Sequence, residues 1–154
     1  MNITLIAAEE EDRTFFRNAH HVAYRPVIEQ MFSWDESQQD VYADKDFDER
    51  QPHLIYEEGR KVGVAGWQIK PDHIWFGPIF VLPEYQGQGI GMHVVKEFIK
   101  KAEAEKLPLR LQTLLLNKRA KAFYERLGFK TLDKSAVHWQ LEYAGIIRPQ
   151  GSDS

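Results

Sequence analysis

The stretch PEYQGQGIG at 83–91 constrains the fold more than any other, because glycines at 87, 89 and 91 stand directly behind the apolar run Ile79-Phe80-Val81-Leu82. Ahead of them Met92, Val94, Val95, Phe98, Ile99 and Ala102 recur at helical spacing, with Lys96, Lys100 and Lys101 at polar positions. A strand, a glycine loop and a helix in succession line up backbone N–H groups at the positive end of the helix. Such a turn accepts a phosphate-sized anion. Gly87, Gly89 and Gly91 would let a ligand approach the backbone, and Gln86 or Gln88 could add a side-chain donor. The plainer alternative is a tight loop whose glycines serve only its dihedrals.

The familiar phosphate loops fit badly. A dinucleotide fingerprint needs a glycine at its sixth position, where this chain has Met92, and its preceding strand belongs to a parallel crossover unit. The Gly-Lys-Ser or Gly-Lys-Thr of triphosphate loops is absent. Here the preceding residues 53–82 read as three successive antiparallel strands, turning at Glu58-Gly59 and again at Lys70-Pro71-Asp72.

Around that meander, Ile3 and Leu5 suggest a short first strand, and Phe15, Phe16, Ala19, Val22 and Ala23 a helix with Glu9–Asp12 at its positive end. Pro26 is expected to interrupt or restart that helix, and Ser33 with Glu36 to cap the next as a capping box. Leu107–Leu116 reads as a strand, Asn117 as the cap of a helix reaching about Leu127, Gly128 as its left-handed terminator, and Ala136–Tyr143 as the last clear strand. The 154 residues suit one domain, expected over 1–148, with 149–154 as a frayed tail.

The chain has no cysteine, which excludes disulfides and covalent catalysis on a thiol. No long apolar run or basic signal-like start is present, so a cytoplasmic protein without a membrane span is expected. Residues 1–60 hold 14 Asp and Glu against 6 Lys and Arg, and residues 61–154 hold 9 against 14. That division suits an anionic ligand on the second half and a cationic one on the first, although halves of a sequence need not be halves in space. No basic cluster is dense enough for nucleic acid.

With Gln86, Gly89 and Gly91 behind a strand, and Asn117, Ala120, Phe123, Tyr124, Gly128 and Phe129 spaced through NKRAKAFYERLGF, the sequence resembles the GCN5-related N-acetyltransferases, the GNAT superfamily. The resemblance implies an α/β fold (α+β in some schemes) with a mixed, mostly antiparallel sheet of six or seven strands, about four flanking helices and a splay at the cofactor site. It implies transfer of an acetyl group from acetyl-CoA to a primary amine, releasing coenzyme A, by direct attack in a ternary complex. The pyrophosphate would lie on the backbone of Gln86, Gly87, Gln88, Gly89, Ile90 and Gly91. The pantetheine arm would pair with Ile79, Phe80 and Val81, with an N–H near Val81 polarising the thioester carbonyl. Asn117 would bond the arm, Phe123 would line its channel, and Tyr124 would protonate the departing thiolate. In plain structural terms these three are a helix cap, a core aromatic and a buried tyrosine.

Many relatives carry a glutamate on the strand before the loop, whereas HIWFGPIFVL at 73–82 has no carboxylate. The base is therefore open among His53, His138, Glu36 and a water chain to one of them. The acceptor, a small amine or a protein amine, could be drawn by the acids Asp35, Glu36, Asp40, Asp44, Asp46, Asp48 and Glu49 and pack on Trp34, Tyr42 or Trp139. The plainer reading of that run is a solvated helix face. No metal is expected, because the six histidines lack a ligand spacing and His20 and His21 cannot share a helix face. Monomer and homodimer both remain open, as does a non-catalytic acyl-CoA-binding or protein-interaction module on the same fold.

Overall fold

A computed structural model describes residues 1–145, so the expected tail at 149–154 and the end of the 1–148 domain lie outside the described residues. The strands are β1 (Ile3–Ala7), β2 (His53–Glu57), β3 (Arg60–Ile69), β4 (Ile74–Val81), β5 (Leu109–Leu114), β6 (Lys130–Lys134) and β7 (His138–Tyr143). The helices are α1 (Arg13–Ile28), α2 (Glu36–Glu49), α3 (Ile90–Glu105) and α4 (Lys118–Arg126), with 3-10 turns at Glu10–Asp12 and Pro83–Tyr85. The sheet order is β1-β2-β3-β4-β5-β7-β6. β4 and β5 are parallel, whereas β1 with β2, β2 with β3, β5 with β7 and β6 with β7 are antiparallel. The mixed, mostly antiparallel sheet flanked by four helices is the architecture the resemblance implies. No helix among the described residues is long and apolar enough to cross a membrane.

The chain forms two compact units, the first comprising Met1–Gln68 and Gly77–Val95. In it, α1 buries Phe16, Ala19 and His20 on one face, and these pack with Phe47 of α2, Leu54 of β2, Val64 of β3 and Phe80 of β4. The β2–β3 turn forms where expected, with Glu58 and Gly59 both at positive φ (50° and 80°), the geometry that matches the twist of a tight hairpin. Pro26 lies inside α1 and does not interrupt it. Only one helical donor is lost there, and the next donors are used, with the Glu29 N–H on the Arg25 carbonyl at 3.0 Å. The cap of α2 is Asp35, whose carboxylate accepts from the Gln38 N–H at 3.1 Å, and not Ser33. Glu36 instead accepts from the Trp34 indole at 2.6 Å.

The second unit comprises Ile69–Phe76 and, among the described residues, 96–145. β5 is shorter than the expected Leu107–Leu116 and pairs with β7 from Leu109↔Tyr143 to Leu114↔His138. The Arg110↔Glu142 pair carries a 2.7 Å ion pair across the strands. Leu109, Leu111, Phe129 and Leu141 are buried, and Phe76 packs on Phe98 with ring centroids 4.5 Å apart. β6 has no counterpart in the sequence reading. All five of its residues are exposed, so it lacks the alternation that marks a strand, and its pairing with β7 alone defines it.

Gly63 of β3 is set by a close approach. A Cβ there would stand 2.1 Å from the Phe80 carbonyl oxygen, a backbone atom that cannot swing away. Gly63→Ala is expected to cost about 1–3 kcal/mol, the usual range for overpacking, and to lower the melting temperature by roughly 3–10 °C. Circular dichroism melts check this; an unchanged melt would mean that β3 and β4 separate at this point without cost.

Candidate functional site

β4 sets up the first part of the site. Its burial alternates strictly, with Ile74, Phe76, Pro78 and Phe80 inward. Ile74 and Trp75 pair with Leu109 and Arg110 of β5. Gly77 follows at φ +141°, a conformation that disfavours side chains, and then Pro78, which has no N–H to donate. Both features fall just ahead of Ile79, Phe80 and Val81, the residues expected to offer backbone to a ligand arm.

The loop beyond β4 is built as its spacing suggests. Gly87 and Gly89 have φ of +78° and +86°, and residues 86–89 are exposed. A Cβ on Gly87 would meet nothing within 4 Å, and one on Gly89 only the Met1 methyl at 3.6 Å. The space over the loop is therefore clear, and the positive φ values are what require glycine. The Gly89 carbonyl takes the first bond of α3 from the His93 N–H at 3.0 Å, which leaves the amides of Ile90, Gly91 and Met92 without helical partners. The Gln86 carboxamide donates to the Val81 carbonyl at 2.8 Å and ties the loop to the end of β4. One of its N–H groups thus has a structural use.

The residues from the second signature lie in the second unit. Asn117 caps α4, its side-chain oxygen accepting from the Ala120 N–H at 3.1 Å, and Gly128 terminates the helix at φ +102°. Tyr124 is buried, its ring edge-on to Phe123 and Phe129 with centroids 5.1 and 5.4 Å away. The cap and packing roles are thus real, and the cap uses only the oxygen of the Asn117 amide group.

Each of the proposed bases stands on a different element. His53 stacks on Trp67 at 3.9 Å and bonds the Gln51 carbonyl; His138 starts β7, where burial lowers its pKa; Glu36 is exposed at the start of α2. What gathers instead is a cluster that sequence spacing set aside. His20 and His21, adjacent on α1, meet through their Nδ1 atoms at 3.0 Å, and His21 Nε2 lies 2.7 Å from Asp40 and 3.5 Å from Glu36. Adjacent helical residues diverge at Cβ, but two imidazoles are long enough to turn toward each other. The side-chain nitrogen of His21 and the carboxylate oxygens of Glu36 and Asp40 lie within 4.8 Å of one another, a grouping that comes from the α1–α2 packing and has no signature within either helix.

The acidic run of α2 is largely engaged with α1. Asp44 bonds Arg17 at 3.0 Å, Asp48 bonds Arg13 at 2.6 Å, and Asp46 lies 3.9 Å from Arg50. The Arg17 hydrogen bond lowers the pKa of Asp44, while burial raises that of Asp46. The Asp44 and Asp48 pairs hold one helix on the other, while Asp46 and Arg50 meet within α2 and its cap. Trp139 is also engaged, with Lys121 and Lys134 at 4.6 and 5.0 Å from its ring centre.

Burial pushes the His20 pKa from 6.5 down to about 4, with the neighbouring His21 as the next cause. Because the unfolded chain takes up this proton first, the stability His20 provides is complete above pH 6.5 and is lost as pH falls toward 4. The expected slope is up to about 1.4 kcal/mol per pH unit. Melts at half-unit intervals from pH 7 to 5 should show it, added to a smaller part from His138 in the same direction. His20→Phe should flatten it; an unchanged slope would assign the effect elsewhere.

Comparison with known proteins bears on this arrangement. The model of the acetyltransferase (GNAT) family matches residues 10–129. The chain is 39% identical over 67 residues to a thialysine N-epsilon-acetyltransferase of Bos taurus; that match covers 43% of this chain and 39% of the bovine protein. Among solved structures it resembles the PaiA N-acetyltransferase of Thermoplasma acidophilum in complex with coenzyme A, with a TM-score of 0.75, 16% identity and 92% and 98% of the two chains covered. It also resembles the ribosomal-protein-S18-alanine N-acetyltransferase of Escherichia coli, with a TM-score of 0.64, 22% identity and 92% of each chain covered.

Proposed function

This chain belongs to the GNAT acetyltransferase family, and from that premise we propose that it moves the acetyl group of acetyl-CoA to a primary amine. The observation that carries the proposal is the loop at 86–91, where two positive-φ glycines and the unpartnered amides of α3 form an exposed anion cradle. These residues fit a pyrophosphate, since nothing stands over Gly87. A coenzyme A-bound structure in the same fold supports the choice of ligand. Two of the relatives above are named as N-acetyltransferases of an amine-bearing acceptor, thialysine in one and the alanine of ribosomal protein S18 in the other.

Backbone at Ile79, Phe80 and Val81 holds the pantetheine arm, and an N–H near Val81 stabilises the charge that develops on the thioester oxygen. Asn117 retains an amide donor for the arm, and Phe123 lines its path. Tyr124 is the general acid. A phenol with an ordinary pKa near 10 is still protonated when a thiolate with an ordinary pKa near 8.5 departs. With no cysteine in the chain, direct attack of the amine in a ternary complex is the simplest route.

Gly89→Leu should weaken coenzyme A binding at least about tenfold in calorimetry, because the larger residue resists the positive φ and fills the approach. Unchanged affinity in a folded variant would move the cofactor elsewhere. An amine panel assayed for acetyl-CoA-dependent thiol release tests the activity itself; silence on polyamines, lysine analogues and peptide N-termini, with coenzyme A still bound, would favour a binding module.

Tyr124→Phe should lower kcat about 10- to 1,000-fold with little change in acetyl-CoA affinity. A fully active Phe variant would confine Tyr124 to packing.

A further inference from the structure

His20, His21 and Asp40 form a line of hydrogen bonds running outward from beneath β4. His20 is 1% exposed, and its ring stands edge-on to Tyr24 at 4.7 Å and to Phe80 at 5.8 Å. The side chain of His21 is 12% exposed and that of Asp40 36%. With His21 neutral, the two contacts fix the protons by counting. Asp40, as a carboxylate, can only accept, so the 2.7 Å contact requires a proton on His21 Nε2. A neutral His21 then has a bare Nδ1, and the 3.0 Å contact requires its proton to come from His20 Nδ1. His20 is left with a bare Nε2, to which the described residues supply no hydrogen-bond partner.

We propose that His20 Nε2 is the proton acceptor for the attacking amine, with His21 and Asp40 behind it as a relay. The proposal rests on the acetyltransferase reading, and it supplies the base that β4 lacks. As Nε2 takes a proton from the amine, directly or through one water, His20 passes its Nδ1 proton to His21 Nδ1. The amine loses one proton and His21 gains one. The positive charge comes to rest on His21, between Asp40 at 2.7 Å and Glu36 at 3.5 Å, and not on the buried ring of His20. Burial makes charge on His20 itself costly, which is why a second imidazole is needed.

The titratable groups around His20 are His21 and Tyr24 on α1 and Asp40 on α2; β4 presents only Phe80. Arg17, Glu36 and Asp44 stand one contact further out. His20 touches Phe80, one residue from the expected thioester-polarising amide, so the base and the carbonyl are placed by one strand. His21 and Asp40 act through His20 and are positioning residues.

Two measurements test this. Histidine nitrogen NMR on the free wild-type protein at pH 8 should show His20 protonated on Nδ1 and bare on Nε2, with His21 the reverse. A proton on His20 Nε2 overturns the proposal whatever the enzyme does. In acetyl transfer, Asp40→Asn keeps a hydrogen-bond acceptor but removes the charge. Its kcat should fall about 10- to 100-fold at pH 7 and recover to within about threefold near pH 9.5, where free amine needs no base. The KM for acetyl-CoA should not change. His20→Gln should show the same pH-dependent loss. Wild-type profiles in either folded variant overturn the relay and leave the acetyltransferase reading intact. An inactive wild-type protein overturns both.

Discussion

Phe80 is the residue on which the first unit turns. Its ring lies in the cluster with Phe16, Leu54 and Val64 and meets His20 and Tyr24 edge-on, while its carbonyl presses on Gly63 so closely that no side chain fits there. A strand held this firmly on one side can present backbone on the other without moving. That is what an acyl-transfer site needs, because a polarising N–H acts only if it is already in place when charge develops. The loop inherits the same anchor, since Gln86 reaches back to the Val81 carbonyl.

Charge has a different job from the one its distribution along the chain suggests. The acidic first half looks like a lure for a cationic acceptor, but Arg13 and Arg17 sit opposite Asp44 and Asp48, and His21 opposite Asp40. Partly exposed pairs of this kind add little stability individually. Together they fix how α2 lies on α1, and so bring His21 to Asp40. The apolar side chains left in water on this part of the chain include Phe32, Val41 and Tyr42, at 57%, 61% and 49% exposure.

What was legible in the sequence was local. The glycine loop, the Glu58-Gly59 turn, the Asn117 cap and the Gly128 terminator each depend on one residue type at one dihedral, so a single chain reveals them. What was illegible depends on partners far along the chain. β6 is a strand only because β7 pairs with it, and Asp35 outcompetes Ser33 as a cap because α2 starts at Glu36, directly after Asp35. The His20–His21 pair was set aside by helix geometry that holds for Cβ atoms and fails for imidazoles with a carboxylate drawing one of them around.

The position of the relay follows from β4 itself. Its residues alternate between buried and half-buried, and Phe80 falls on the buried side, against an apolar cluster. A carboxylate in that place would be desolvated and hold its proton, which makes it a poor resting base unless other groups offset the burial. A chain that keeps Phe80 there for packing must therefore take its proton acceptor from another element. α1 is the helix whose histidine reaches Phe80, and an imidazole tolerates the site because it is neutral when idle. Its weakness as a buried base is met by a second imidazole that carries the charge toward two carboxylates and water. Packing at Phe80 thus keeps a carboxylate out of that position and brings the histidine of α1 to it.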